Sequence, residues 1–160
     1  MTDSNQTTRS VKHATFTIER TYVAAPARVF AALSTKEAKG KWFSGPAEWT
    51  RGKWELDFRV GGREVNRGGP PGGPLYTYES QFRDIIPEQR IIYTYEMYAD
   101  ETRISVSVAT VQFRSRDATT QLVLTEQGVF LDGHDTSAQR EEGTEILLDS
   151  LAAILNGGGS

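Results

Sequence analysis

Glu126 is the residue whose setting most invites chemistry. In an alternating stretch it falls on the same strand face as Leu122 and Leu124, so its carboxylate points where two leucines point. An inward carboxylate is costly unless paired. Such surroundings raise its pKa and make it a candidate general acid or base. The competing reading is a strand-end residue at a cavity mouth, bound to water or an arginine. His134-Asp135 is a second acid–base candidate. Neighbours in sequence rarely face one another productively, which favours a loop or capping role. His13 reads as structural or solvated. With two histidines and no cysteine, the chain offers no transition-metal ligand set, and no disulfide can form. No serine sits in a recognisable nucleophile setting, and no cofactor is implied.

A second group of interest is the run of aromatics that includes Trp42, Phe43, Trp54, Phe58, Tyr78, Tyr93 and Tyr95. One reading is ordinary core plus strand-face aromatics. The other is a pocket with apolar walls and a few hydroxyls, the usual make-up of a small-molecule site. A buried phenol needs a partner, which tilts tyrosines toward the second. Ser105 and Ser107 share a face with Ala109 and Val111, where small polar side chains leave room. Gly61-Gly62 and the run Gly68–Pro74 lack the strand–loop–helix context of a phosphate-binding loop and read as hairpin loops. The longer run is a candidate mobile rim.

These residues need a frame. Leu147, Leu151 and Leu155, widened by Ile146, Leu148 and Ile154, form the apolar stripe of a helix over Ser137–Leu155. Ser137 is its expected N-cap, Asn156-Gly157 its stop, and Gly143 implies close approach to a neighbouring element. Upstream, a strand over Ala14–Val23 leads into a helix opened by Ala25-Pro26. Ser34-x-x-Glu37 suggests a capping box for a second short helix. Period-two patterning then predicts strands at Trp54–Val60, Arg63–Arg67 and Leu75–Ile86, and three more reaching Gln127. Short turns at Pro87-Glu88, Asp100-Glu101 and Asp117-Ala118 make the last strands antiparallel neighbours. The expected fold is α+β, an antiparallel sheet of six to seven strands against helices on one face.

At 160 residues the chain reads as one domain over 13–156 behind a disordered tail over 1–12. A net charge of −3 without a basic run argues against nucleic-acid binding. No apolar run approaches the roughly 20 residues of a membrane span. No signal-peptide core follows Met1, so a cytoplasmic location is expected.

Ala25-Pro26 with Val29-Phe30 and Leu33, then Lys41-Trp42-Phe43, Asp57–Arg63, Thr125–Gly128 and Arg140–Leu151 resemble, in that order, the START-like (SRPBCC) superfamily. Within it they are most similar to the Hsp90-ATPase-activator-like branch. The resemblance implies a helix-grip fold, in which a curved sheet wraps the C-terminal helix and leaves a cavity. That branch commonly carries tryptophan after the glycine at 143; here Thr144 stands there.

The leading expectation is a binding protein rather than an enzyme, holding a small apolar or amphipathic molecule. Strand-face parity nominates Trp54, Phe58, Tyr78, Tyr93, Tyr95 and Val111 as ligand-binding residues, with Thr144 from the helix. A co-chaperone domain acting on an Hsp90-type ATPase is the second expectation. A cyclase- or hydrolase-like enzyme using Glu126 is the third. Ligand identity and oligomeric state are not encoded in any motif.

Overall fold

The computed structural model describes residues 8–157. In chain order the elements are β1 (Val11–Tyr22), α1 (Pro26–Ser34), α2 (Lys36–Lys39), β2 (Thr50–Leu56), β3 (Arg63–Gly69), β4 (Tyr76–Ile86), β5 (Arg90–Ala99), β6 (Thr102–Arg116), β7 (Thr119–Leu131) and α3 (Ser137–Gly157). The strands form one seven-stranded sheet in the order β1-β7-β6-β5-β4-β3-β2, antiparallel throughout. The fold is α+β and helix-grip-like, with two short helices after β1 and the long helix last.

Each turn has a local cause. β5–β6 and β6–β7 are joined by two-residue connections whose first residues, Asp100 and Asp117, take φ of 53° and 54°. Aspartate tolerates this left-handed conformation better than most side chains, and two-residue hairpins require it. β1 lies beside β7 because residues 11–22 run antiparallel to 120–131 without a break. Asp132 extends that pairing: it accepts from the Ser10 amide and from Arg9 Nη1, each at 2.9 Å. Sheet pairing therefore begins at Val11, within the stretch expected to be a tail. The rest of that expectation, residues 1–7, lies outside the described residues.

Several sequence expectations shift in detail. β2 ends at Leu56, so Phe58 and Val60 occupy the β2–β3 connection and not a strand, and Val60 is exposed. The turn there closes through Gly61 at φ 85°, with the Asp57 amide donating to the Arg63 carbonyl. β3 runs on through Gly69, absorbing the start of the glycine–proline run. Thr35, not Ser34, caps α2, its hydroxyl accepting from the Ala38 amide at 3.2 Å. Thr136, not Ser137, caps α3, accepting from the Gln139 amide at 3.1 Å. Gly143 faces open space, so close packing does not explain it.

α3 seats its C-terminal half on β1 and α1. Leu148, Leu151 and Leu155 are buried, and the Tyr22 hydroxyl, itself fully buried, donates to the Leu148 carbonyl at 3.0 Å. The Val23 amide donates to Asn156 Oδ1, and Arg28 Nη1 to the Leu155 carbonyl. Ile146, counted in the stripe from sequence, is 58 % exposed. Its i−1 offset from Leu147 turns it past the edge of the buried face. Leu151→Ala should accordingly cost about 2–5 kcal/mol, whereas Ile146→Ala should stay within about 0.5 kcal/mol. Urea denaturation of both variants checks the contrast; equal costs would refute this placement of the helix.

Candidate functional site

The inner face of the sheet is organised in cross-strand rows. One row reads Ile91, Val111, Leu124 and Ile18 across β5, β6, β7 and β1. It is wholly buried and apolar. Four positions further along β5 in the direction of Ala99, beyond the Phe82–Tyr93–Ala109–Glu126 row, the register Glu64–Ser80–Tyr95–Ser107–Gly128 crosses β3 to β7. Here side chains are small and polar around one phenol. Ser80 and Ser107 are 3 % and 2 % exposed, and neither hydroxyl has a hydrogen-bond partner among the described residues. Gly128 keeps the row open at its end, since a Cβ there would meet Ser107 Oγ at 2.9 Å. The inner face thus divides into a dry apolar half and a half with unused hydrogen-bonding capacity.

The polar half is held from above by Arg140, in the first turn of α3. Nη1 donates to the Tyr95 hydroxyl at 2.9 Å, and Nη2 to Ser105 Oγ at 2.9 Å and Asp135 Oδ2 at 2.8 Å. The guanidinium also lies 5.3 Å from the Phe130 ring and 5.6 Å from that of Tyr95, within cation–π range. Tyr95 passes its own proton outward, donating to Glu126 Oε1 at 2.5 Å. Glu126 is 5 % exposed, so it is an interior carboxylate and not one at a mouth.

A second buried charge lies across the sheet. Glu64, with no exposed surface, accepts from Lys39 Nζ at 2.6 Å and from Trp54 Nε1 at 3.0 Å. The same ammonium sits 4.3 Å from the centre of the Phe43 ring. The network ties α2 to β2 and β3. Between the two carboxylates stand Tyr78 and Tyr93. Burial raises both phenols well above the usual range, and Glu64 adds to this at both residues, Glu126 at Tyr93.

The nominated residues separate into groups. Tyr78, Tyr93 and Tyr95 come together, with ring centres 5.0 and 6.0 Å apart along the pairs Tyr78–Tyr95 and Tyr93–Tyr95. Trp54 joins the Glu64 network. Phe58 packs edge-on against Phe30 and Phe82, 5.6 and 4.9 Å away. Val111 belongs to the dry row. Thr144 is half-buried one turn beyond Arg140, its hydroxyl bonded back to the Arg140 carbonyl at 2.8 Å. His134 and Asp135 form no pair: Asp135 turns to Arg140 and to the Thr136 amide. Arg140 was missed from sequence, although it extends the stripe of Thr144, Leu148, Leu151 and Leu155 backward by one turn. A cation on that stripe, set against an inward Glu126, was the available signal. Lys39 and Glu64 carried no comparable signal.

Two clefts open elsewhere, neither beneath α3. One of about 500 Å³ lies between Arg9–Val11, Thr102-Arg103 and Leu131-Asp132, and one of about 390 Å³ at the β2–β3 connection. The inner face of β4 and β5 instead carries half-buried Tyr78, Tyr93 and Met97, and α3 carries half-buried Leu147, all packed against the core. Among the described residues no three His, Asp or Glu side chains gather as a metal site, and no helix is long and apolar enough to cross a membrane.

Burial lifts the Glu126 carboxyl above the ordinary range, opposed by the Tyr95 hydrogen bond and by Arg140. A carboxyl whose pKa is higher folded than unfolded binds its proton more tightly in the native state. Its contribution to stability is full below the unfolded value, about 4.3, and is lost as pH rises through the native value. Measured against Glu126→Gln, the parent protein should lose stability as pH rises above about 4. A difference between the two that stays flat with pH in chemical denaturation would contradict the assignment.

Comparison with known proteins gives a consistent picture. A search among curated proteins finds no significant match. Among solved structures, an uncharacterized protein from Rhizobium leguminosarum is 48 % identical with a TM-score of 0.88, covering 93 % of this chain and 98 % of its own. The Mll3558 protein from Rhizobium loti is 45 % identical with a TM-score of 0.84, covering 90 % and 98 %. The AHSA1 protein from Silicibacter pomeroyi is 25 % identical with a TM-score of 0.72, covering 89 % and 97 %. A family model described as activator of Hsp90 ATPase homolog 1-like protein matches residues 23–156. With that match spanning most of the sheet and all three helices, the chain belongs to the activator of Hsp90 ATPase homolog 1-like family.

Proposed function

We propose that the chain binds a small, largely apolar molecule between its sheet and α3, with the molecule's polar group set against the Ser80–Tyr95–Ser107 row. The carrying observation is the pair of buried serine hydroxyls without partners on either side of Tyr95. A buried hydroxyl left unsatisfied costs roughly 1–3 kcal/mol, and a ligand polar group would recover that cost. The docking of α3 supports the reading. Its leucines hold it to β1 and α1, while over β4 and β5 the inner face keeps half-buried aromatic and methionine surface. Apolar walls with a few placed hydroxyls are what small-molecule sites present. Entry would widen the space beside Tyr78 and Tyr93 by lifting the first turns of α3, where Arg140 is the link to the sheet.

The family's description is the observation behind a second reading, a domain acting on an Hsp90-type ATPase. Stimulation of such an ATPase by the purified chain, unaffected by dye occupancy, would favour it over ligand binding.

The neutral fluorophore N-phenyl-1-naphthylamine serves as a probe. It should bind saturably at one site per chain. Thr144→Trp, which sets an indole beside Arg140 on the sheet-facing side of α3, should weaken binding roughly tenfold or more by filling the space. Near-UV circular dichroism should show that the variant stays folded. Absence of saturable binding, or binding indifferent to the indole, would overturn the proposal.

A further inference from the structure

The geometry points to a ligand of defined charge: we infer that the interior selects an uncharged or cationic amphiphile and rejects one bearing a carboxylate or sulfonate. The inference rests on the binding reading above and adds the chemical class.

Two carboxylates, Glu64 and Glu126, are buried on the inner face, on β3 and β7. The two cations beside them are committed. Lys39 Nζ is held by Glu64 and lies over the Phe43 ring. Arg140 spends its Nη groups on Tyr95, Ser105 and Asp135. Asp135 adds a third carboxylate to the neighbourhood, so the buried and part-buried charges here do not sum to a positive site. An incoming anion would therefore meet no uncommitted ammonium and would lie in the field of two desolvated carboxylates. That field reaches the middle of the face, since it opposes ionisation of both Tyr78 and Tyr93. On the inner face the groups left unused are hydroxyls, Ser80 and Ser107, which serve a ligand hydroxyl, carbonyl or amine equally well; the other unpartnered buried atoms, Arg67 Nε and Gln121 Oε1, belong to residues at outward register positions. The faces of Tyr78 and Tyr93 offer a cation the negative side of the ring quadrupole.

A matched pair of dyes tests this on the full chain at pH 8. N-phenyl-1-naphthylamine and 8-anilino-1-naphthalenesulfonate share one skeleton and differ by the sulfonate. The neutral dye should bind more tightly by roughly tenfold or more. Because the neutral dye is also the more apolar, the decisive reading is how the ratio changes. Glu126→Gln should narrow it several-fold by improving sulfonate binding. Glu64→Gln should do the same, and serves alone if Glu126→Gln does not fold. Equal binding of both dyes to the parent, or an unchanged ratio in the folded variants, overturns the charge selection while leaving the binding reading in place. Failure of the neutral dye to bind at all removes both.

Discussion

A guanidinium taken out of water in the first turn of α3 is the constraint around which the upper half of this molecule is arranged. Arg140 cannot shed its proton, so burial has to be offset by acceptors. The chain supplies a phenol, a serine hydroxyl and a carboxylate from β5, β6 and the loop before the helix. Satisfying that one cation fixes the orientation of Tyr95. Tyr95 in turn fixes Glu126, because a hydroxyl oxygen accepting from the arginine directs its proton elsewhere. Ser105 must stay small on the inner face for the guanidinium to fit. The Tyr95, Ser105 and Glu126 side of the polar half is thus arranged by a single charge, propagated through hydrogen bonds across β5, β6 and β7, while Glu64 is held separately by Lys39 and Trp54.

The lower half follows a different rule. Leu148, Leu151 and Leu155 meet β1 and α1 through apolar contact, with Tyr22 hydrogen-bonded to the helix backbone. Apolar burial is non-directional and proportional to area, so it holds the helix without dictating side-chain orientation in the sheet. One element therefore docks by two mechanisms along its length. The fold needs the leucines, whereas the site needs the arginine.

This division also explains what was legible beforehand. Strand alternation, hairpin turns at Asp100 and Asp117 and the leucine stripe are local patterns, and each survives in the structure. Face parity brought Tyr78, Tyr93 and Tyr95 into one cluster because a period of two is enforced by the pleat itself. Parity could not tell that Phe58 leaves the strand, since β2 stops at Leu56 and the connection already begins at Asp57, ahead of the turn at Gly61. Nor could it pair residues distant in sequence. Lys39 with Glu64 and Arg140 with Tyr95 are set by how α2 and α3 lie on the sheet, a tertiary fact with no periodic trace.

Gly143 lies about two turns into α3, between the arginine and the leucines. Nothing crowds it, so no neighbour demands a residue without a side chain. Glycine in a helix interior still costs about 1 kcal/mol relative to alanine, and that weakness sits at the boundary between the two modes of docking. Local opening falls where cooperative contacts are thinnest. The helix thus sets its poorest helix former between turns fixed by directed hydrogen bonds and turns fixed by apolar burial.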